Sequence, residues 1–318
     1  MRIGQNPAKF VKQVAKPERI TVAVLNYIPF LSGFYVDMLG VLDACLKSLR
    51  STTKIPFDLM VFDNASCKEA RDYLLGEYEK NNIQYLLFSD KNLGKGGAWN
   101  IILSGAPGEI IAYSDNDCFY YDGWLESSMK LLETYPEVGM VTSRPFRTKP
   151  ELYSNTIQWA EKTSSVQIEQ GDFIPYETFR EFDLSLGQSE EEIKTHYDTS
   201  TDIRLVYQDV PAIAGASHWQ FLTYKNRIAQ FLPFHMDRPM GQVKQLDQRM
   251  NDAGLLRLMP AEPYVMNMSN TLRAMPGYEA NRRESKTSKT VKILDFPLIR
   301  KVLLAIYNKI FRWYYDRE

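Results

Sequence analysis

The 318-residue chain has few cysteines and no long apolar run. Its three cysteines are too few and too scattered for a disulfide framework or a zinc site, which favours a reducing compartment. No stretch approaches the ~18 consecutive apolar residues of a membrane span. Residues 1–18 are basic but lack the apolar segment of a signal peptide. These absences predict a cytoplasmic protein.

The chain also lacks an excess of charge of either sign. Its formal net charge is -1, so nothing in the overall composition predicts a nucleic-acid partner. With 44% hydrophobic and 24% charged residues, it has the composition of a folded protein that buries a full core. The glycine-rich stretch 92–100 matches neither a P-loop nor a dinucleotide fingerprint. That mismatch argues against ATP hydrolysis and NAD chemistry.

Short apolar runs alternate with helical patterns in the first half of the chain. The runs predict strands over 20–26, 57–63, 83–88, 109–114 and 138–143. Apolar residues at three- and four-residue spacing predict helices over 37–49, 68–80, 94–104 and 122–134. The alternation predicts a doubly wound α/β half, in which ligands bind outside the carboxyl ends of the strands.

Periodicity weakens over 148–208, where the sequence is aromatic and acidic. We interpret this segment as an insertion. Order then returns, with predicted strands over 210–216 and 255–259 and predicted helices over 224–230 and 242–253. Gly254 is placed to end the last of these helices in a left-handed conformation.

An acidic triplet, Asp115-Asn116-Asp117, follows the fourth predicted strand. An extended chain points alternate side chains to the same face, so Asp115 and Asp117 could bind one cation. Oxygen ligands suit Mg²⁺ or Mn²⁺, which accompany substrate phosphates more often than they occupy closed protein cages. An Asp/Asn cluster at a strand end is also ordinary turn sequence, so the triplet alone leaves both interpretations open.

Two further loops are expected at the same sheet edge. Asp63 follows the second strand, where its carboxylate could accept hydrogen bonds from a base or a ribose, or could form an Asx turn. The glycines of 92–100 permit close approach of the backbone to a ligand, or serve only as a helix entry.

The acid after strand two, the glycine-rich stretch and the acidic triplet occur in an order and spacing that resembles family 2 glycosyltransferases of the GT-A fold. The resemblance runs from about 19 to 272 and is most specific over 108–117 and 122–125. It implies a GT-A-type doubly wound mixed sheet with a Rossmann-like nucleotide-binding half. It also implies a nucleotide-diphospho-sugar donor and an acceptor hydroxyl.

The resemblance further implies roles for individual residues in the donor site. Expected donor contacts are Tyr27, Asp63, Asn92, Gly94, Lys95, Asn100, Asp115 and His218. Asp115 and Asp117 would form a DxD motif that holds Mn²⁺ or Mg²⁺ on the diphosphate. Relatives often place a histidine within the segment matching 264–270, which has none here; Asn267 or water would fill that position.

On the acceptor side, 214–218 resembles a strand that lines the donor-sugar pocket, and 246–254 resembles a helix that carries the catalytic base. Many members carry an acidic pair at the positions that are Gln242 and Val243 here. Asp247 is the nearest carboxylate and is the predicted base, with Asp237 as the reserve. His196 and His235 are expected to be surface or packing residues.

The segment 281–318 differs in kind from the rest. From Arg282 onward it has ten basic against four acidic side chains, a net charge of +6. Apolar residues recur every four positions over 298–310, which predicts a basic amphipathic helix. Such a helix could lie on the anionic inner face of a membrane as a peripheral anchor, or pack on the body or on a second subunit.

The sequence therefore predicts an inverting, metal-assisted glycosyltransferase of polysaccharide or glycolipid assembly with a saccharide or lipid-linked acceptor. Its expected organisation is a basic extension (1–18), a nucleotide-sugar-binding half (19–147), an acceptor and catalytic half (148–280) and a basic tail (281–318). One alternative is a catalytically silent sugar-nucleotide-binding module, supported by the missing acidic pair and histidine. A nucleotidyltransferase is disfavoured, because 27–34 is apolar where a basic glycine-rich loop would be needed.

Overall fold

The computed structural model describes residues 4–236 and 243–272. All of them belong to one compact unit that ends at Leu272. The reserve base Asp237, the Gln242 position and the predicted amphipathic tail lie outside the described residues. Within the described ranges, no helix combines the length and the apolar character needed to cross a bilayer.

The described strands form a large mixed sheet and a small two-stranded one. The strands are β1 (Ile20–Asn26), β2 (Asp58–Asn64), β3 (Tyr85–Ser89), β4 (Ile110–Asp115), β5 (Cys118–Tyr120), β6 (Val138–Val141), β7 (Val166–Gly171), β8 (Asp202–Tyr207), β9 (Val210–Ala214), β10 (Gln220–Tyr224), β11 (Leu256–Met259) and β12 (Val265–Asn267). The large sheet has the order β3-β2-β1-β4-β10-β6-β11-β9-β8-β7, and β12 pairs with β5 in the small one.

Helices cover the faces of the large sheet and connect its strands. They are α1 (Met38–Thr52), α2 (Lys68–Glu79), α3 (Gly94–Gly105), α4 (Trp124–Thr134), α5 (Ser154–Lys162), α6 (Tyr176–Ser185), α7 (Glu190–Thr199), α8 (Lys225–Ala229) and α9 (Val243–Asp252). The parallel order β3-β2-β1-β4 with α1, α2 and α3 between its strands is the predicted doubly wound half.

The second half joins this sheet through an antiparallel strand. β10 pairs with β4 on one side and β6 on the other, both antiparallel, so residues from both halves meet at the carboxyl end of β4. α3 and α9 contribute to one buried cluster that also contains Tyr113 and Phe221. That cluster fixes α9 against the face next to the β4 edge. The predicted mixed α/β fold class is confirmed.

The segment 148–208 contains more regular structure than its sequence predicts. It holds α5, α6 and α7, together with β7 and β8, which pair antiparallel at the far edge of the large sheet. Four residues of β7 are exposed, and α7 buries Ile193 alone. Because these elements bury few side chains, their sequences lack the strong apolar period that would have predicted them.

Candidate active site

The polar ends of three neighbouring strands come together beside β1. Asn26 at the end of β1 aligns with Asp63 of β2, and the preceding Leu25 aligns with Asp115 of β4. From the other half, the Trp219 carbonyl accepts a hydrogen bond from the Asp115 amide at 3.0 Å. The predicted convergence at this sheet edge is present.

Asp115 is engaged by two groups of the protein itself. Its Oδ2 accepts from Lys95 Nζ at 2.6 Å, and its Oδ1 accepts from the Tyr113 hydroxyl. The Lys95 side chain is only 9% exposed, while that of Asp115 is 26% exposed. Burial, then the charge of Asp115, raise the pKa of Tyr113 well above its usual value, so the hydroxyl keeps its proton and donates. A buried cation therefore already neutralises one carboxylate of the triplet.

The chain turns at the triplet, so the prediction that strand alternation points Asp115 and Asp117 to the same face is wrong. β4 ends at Asp115, and Asn116 and Asp117 form the turn into β5. Strand alternation therefore does not extend to Asp117. Burial first, and the nearby charge of Asp115 second, raise the pKa of Asp117 to about 7.

Asp117 has the properties of a ligand for a divalent cation. Its carboxylate is half-buried and accepts no hydrogen bond from any other residue in the described ranges. A divalent cation would offset the unfavourable burial of its charge, and Mg²⁺ or Mn²⁺ needs only one or two carboxylates beside phosphates and water. The residues at this position therefore fit Mg²⁺ or Mn²⁺, with Asp117 as the acidic ligand.

The other two predicted metal ligands are not free. Asp115 is occupied by Lys95 and Tyr113, and Asn267 Oδ1 accepts from the Ser269 amide at 2.7 Å. β12 does bring Asn267 beside Cys118, directly after Asp117. Over the described part of the chain, no group of three or more His, Cys, Asp or Glu side chains is placed to hold a metal ion.

Asp63 shapes the loop after β2, and its predicted contact with the nucleoside stays a prediction. Its side chain is fully buried, and it accepts from Asn26 Nδ2 at 2.8 Å and from the Ser66 amide at 3.1 Å. Asn26 in turn accepts from Asn116 Nδ2 at 2.7 Å. The chain of contacts ties the β1, β2 and β4 ends together, which is why the carboxylate faces inward.

The glycine-rich stretch is packed against the chain that follows α8. A Cβ on Gly97 would lie 2.8 Å from the Leu93 Cβ and 3.2 Å from the Met236 Cε. A Cβ on Gly96 would lie 3.0 Å from the His235 carbonyl oxygen. The small size of these two glycines therefore permits close packing between segments of the protein itself.

Asn92 and Asn100 also have internal partners, and their predicted contacts with the donor stay predictions. Asn92 Oδ1 accepts from Asn64 Nδ2 at 3.0 Å and from the Gly94 amide at 2.8 Å, which starts α3. Asn100 donates to the Phe234 carbonyl at 2.8 Å and accepts from the Phe234 amide at 2.6 Å. Both amides complete backbone hydrogen bonding that the loops leave open. Tyr27 is half-buried at the end of β1, and its ring meets that of Tyr35 edge to face at 6.4 Å.

The predicted base Asp247 lies in a buried ion pair with an arginine. Its Oδ1 accepts from Arg257 Nη2, and its Oδ2 is 2.6 Å from His218 Nδ1. The side chains of Asp247 and Arg257 are 6% and 0% exposed, whereas that of His218 is 19% exposed. Burial lowers the pKa of Arg257, and the charge of Asp247 offsets part of this effect. Both oxygens of the predicted base are therefore engaged.

Lys95 and Arg257 are the functional neighbours whose partners the sequence does not reveal. Lys95 lies 20 residues before Asp115, and Arg257 lies 10 residues after Asp247, across a helix-to-strand connection. Lys95 carries one signal, its position within a stretch that leads from a strand to a helix. The sequence does not indicate that Arg257 is buried, because an arginine in the apolar run of a strand is expected to face solvent.

With this geometry in view, comparison with known families decides the assignment. The family model described as glycosyl transferase family 2 matches residues 35–186, just under half of the chain. This match identifies a family 2 glycosyltransferase region. The predicted recognition and the predicted GT-A fold class are confirmed. A comparison with curated proteins found no match.

Solved glycosyltransferase structures resemble the chain at low identity. The mannosyltransferase PcManGT from Pyrobaculum calidifontis, in complex with GDP-Man and Mn²⁺, is 15% identical with a TM-score of 0.46. S. aureus TarS 1-349 is 13% identical with a TM-score of 0.45. The matches cover 80% and 78% of this chain, but only 59% of each of those chains. GalNAc-T7 with UDP, GalNAc and Mn²⁺ is 13% identical, at a TM-score of 0.46 and 43% of its length. Likeness at this level assigns no ligand and no residue role to this chain.

Proposed function

We propose that this family 2 region transfers a sugar from a nucleotide-diphospho-sugar to an acceptor hydroxyl with inversion. The observation that carries the proposal is Asp117, a half-buried carboxylate without a described partner, beside the Lys95–Asp115 ion pair at the strand edge where ligands of doubly wound sheets bind. An excess of buried negative charge next to a fixed cation suits a metal-bound diphosphate.

Different side chains of the protein would contact different parts of the sugar nucleotide. Asp117 would hold Mg²⁺ or Mn²⁺, which when bound neutralises charge on the departing diphosphate. Lys95 keeps Asp115 in place and adds positive charge at the same edge. Tyr27 presents a half-buried ring at the end of β1 for the nucleoside. Orientation of the diphosphate by these groups would contribute to rate as well as to binding.

Transfer would proceed as a single displacement. A base on the acceptor side removes the proton of the hydroxyl as its oxygen bonds to the anomeric carbon. The bond from that carbon to the phosphate oxygen breaks, and the nucleoside diphosphate leaves with the electron pair. A hexose donor and a lipid-linked acceptor in polysaccharide or glycolipid assembly are the proposed substrate classes.

A panel of sugar nucleotides, read by thermal shift with and without Mn²⁺, tests the proposal. A ligand that binds only the folded protein raises the free energy of unfolding by mass action, by about 2.7 kcal/mol at a ligand concentration of 100 times Kd, and the melting temperature rises with it. We expect at least one donor to shift the transition more with Mn²⁺ than with a chelator. No shift by any nucleotide sugar would reject the function.

A catalytically silent binding module is the second candidate. The engagement of Asp115 by Lys95 and of Asp247 by Arg257 favours it, because both acids would otherwise be available for chemistry. The same panel separates the two functions when nucleoside diphosphate release is measured alongside binding. Release, with water or a supplied acceptor hydroxyl taking the sugar, would support the transferase and reject the module, whereas binding without release in the presence of acceptor hydroxyls would support the module.

A further inference from the structure

His218, Asp247 and Arg257 form a hydrogen-bonded relay that lies outside the residues of the family match. The carboxylate of Asp247 lies between the two basic side chains, one oxygen to each. Arg257 is also held by backbone carbonyls of Leu152 and Ala216, so it cannot move away from Asp247. Asp247 is fixed by the arginine on one side, and it fixes the imidazole on the other.

The relay determines which imidazole nitrogen carries the proton. A carboxylate paired with a guanidinium is ionised and only accepts hydrogen bonds. The 2.6 Å contact between Asp247 Oδ2 and His218 Nδ1 therefore requires a proton on Nδ1. In the neutral ring, Nε2 is then the acceptor. Among the described residues, no hydrogen-bond partner is recorded for Nε2.

His218 lies near the proposed donor edge. Its ring meets that of Trp99 edge to face at 6.3 Å, and Trp99 packs in the same way on Tyr113 at 5.1 Å. Lys95 Nζ lies 5.6 Å from both the Trp99 and the Tyr113 ring centroids. One indole ring thus separates His218 from the Lys95–Asp115 pair. The carbonyl of Trp219, the residue after His218, accepts a hydrogen bond from the Asp115 amide. His218 and Asp115 therefore lie at the same edge of the sheet.

We propose that His218 Nε2 is the general base of the transfer reaction and that Asp247, held by Arg257, is its positioning residue. This inference rests on the proposed function. It revises the prediction that Asp247 removes the proton itself, because that carboxylate is buried with both oxygens occupied. The acceptor hydroxyl proton passes to Nε2 as the oxygen bonds to the anomeric carbon and the diphosphate departs. The imidazolium is stabilised by Asp247 until solvent takes the proton.

The tautomer can be measured without any substrate. The chain has three histidines, so ¹⁵N spectra of the imidazoles of the full chain give three resolvable sets, and His218→Asn assigns one of them. We expect a neutral His218 ring protonated on Nδ1, with this tautomer preference lost in Asp247→Asn. His196→Asn removes another histidine, 3.3 Å from the Asp183 carboxylate, and is the matched control. Protonation on Nε2 in the wild-type chain would overturn the proposal.

Kinetics test the role itself, with the donor selected by the thermal-shift panel. His218→Gly should lower kcat at least ~100-fold, the lower range for loss of a general base, while donor affinity stays within about twofold. Added imidazole should restore part of kcat in His218→Gly and none in Asp117→Asn. His196→Gly should keep wild-type kcat.

The outcomes separate this proposal from the one on which it rests. Wild-type turnover that survives His218→Gly, or a loss of kcat that imidazole cannot restore in a folded variant with intact donor affinity, would reject the histidine base alone. Wild-type protein that neither binds nor turns over a sugar nucleotide would reject both proposals.

Discussion

At the scale of single residues, the Lys95–Asp115 ion pair at the proposed donor edge should contribute measurably to stability. Removing one partner of a buried ion pair costs about 3–5 kcal/mol when the other charge stays buried. Asp115 is 26% exposed, so water screens part of that charge. We expect Lys95→Met to lower the free energy of unfolding by about 1–3 kcal/mol in urea titrations.

Lys91→Met is the matched control, because Lys91 is exposed in the connection that leads into α3. It should change stability by less than about 0.5 kcal/mol. Adding Asp115→Asn to Lys95→Met should restore part of the loss, since no charge is then left unpaired. Equal stability of Lys95→Met and wild type would mean that the pair holds nothing in place.

Asp117 should matter for donor binding and little for folding. Asp117→Asn removes a half-buried charge that has no described partner, so its melting temperature should match or exceed that of wild type. Calorimetric titration of the donor should lose its dependence on Mn²⁺. Asp122→Asn, an exposed acid five residues on, should bind as wild type does. Mn²⁺-dependent binding by the Asp117 variant would contradict the metal assignment.

Residue roles were only partly predictable from sequence. Asp117 stands out because it follows an apolar strand, and that position alone places it at the ligand-binding edge. The inward-facing roles of Asp63 and Asn100 depend on partners elsewhere, Asn26 and Phe234, that only the fold brings near. The sequence alone does not distinguish a polar side chain at a strand end that binds a ligand from one that bonds a backbone amide.

At the scale of elements, the sequence indicates those that bury a full face. Every residue of β1 is buried, and its apolar run gives the strand directly, within the predicted bounds 20–26. β7 and α7 are mostly exposed, so their sequences carry polar residues without a strong period. The short β5 and β12 are likewise invisible, because three residues are too few to show alternation.

The packing of α3 gives a prediction for glycine. A Cβ on Gly97 would lie 2.8 Å from the Leu93 Cβ, closer than real contacts allow, so the start of the helix must shift. We expect Gly97→Ala to cost about 1–3 kcal/mol, as overpacking of an interior does. Chemical denaturation of the two proteins measures the difference.

Gly76 in α2 is the control for the backbone effect. Nothing lies within 4 Å of a Cβ at that position, so alanine meets no obstacle. Gly76→Ala should stabilise the protein by about 0.5–1 kcal/mol through helix propensity. A loss of similar size in both variants would show that close packing is not the reason for Gly97.

At the scale of the whole molecule, charge is distributed unevenly along the chain. The tail from Arg282 carries a net +6 on a chain of -1, and its role in membrane attachment stays a prediction. Each basic residue near an anionic surface contributes about 1 kcal/mol. We expect the full chain to float with anionic liposomes at low salt and not with neutral ones. Neutralising Lys301, Lys309 and Arg312 with glutamine should weaken this flotation, and an unchanged result would reject the tail as a membrane contact.

The most direct test of the account is release of nucleoside diphosphate from the sugar nucleotide that the wild-type chain binds. Release should require Mn²⁺ or Mg²⁺, stop on chelation, and fall by at least ~100-fold in Asp117→Asn while Asp122→Asn retains it. Release that continues unchanged with a chelator and in Asp117→Asn would contradict a metal-assisted transfer site at the carboxyl end of β4.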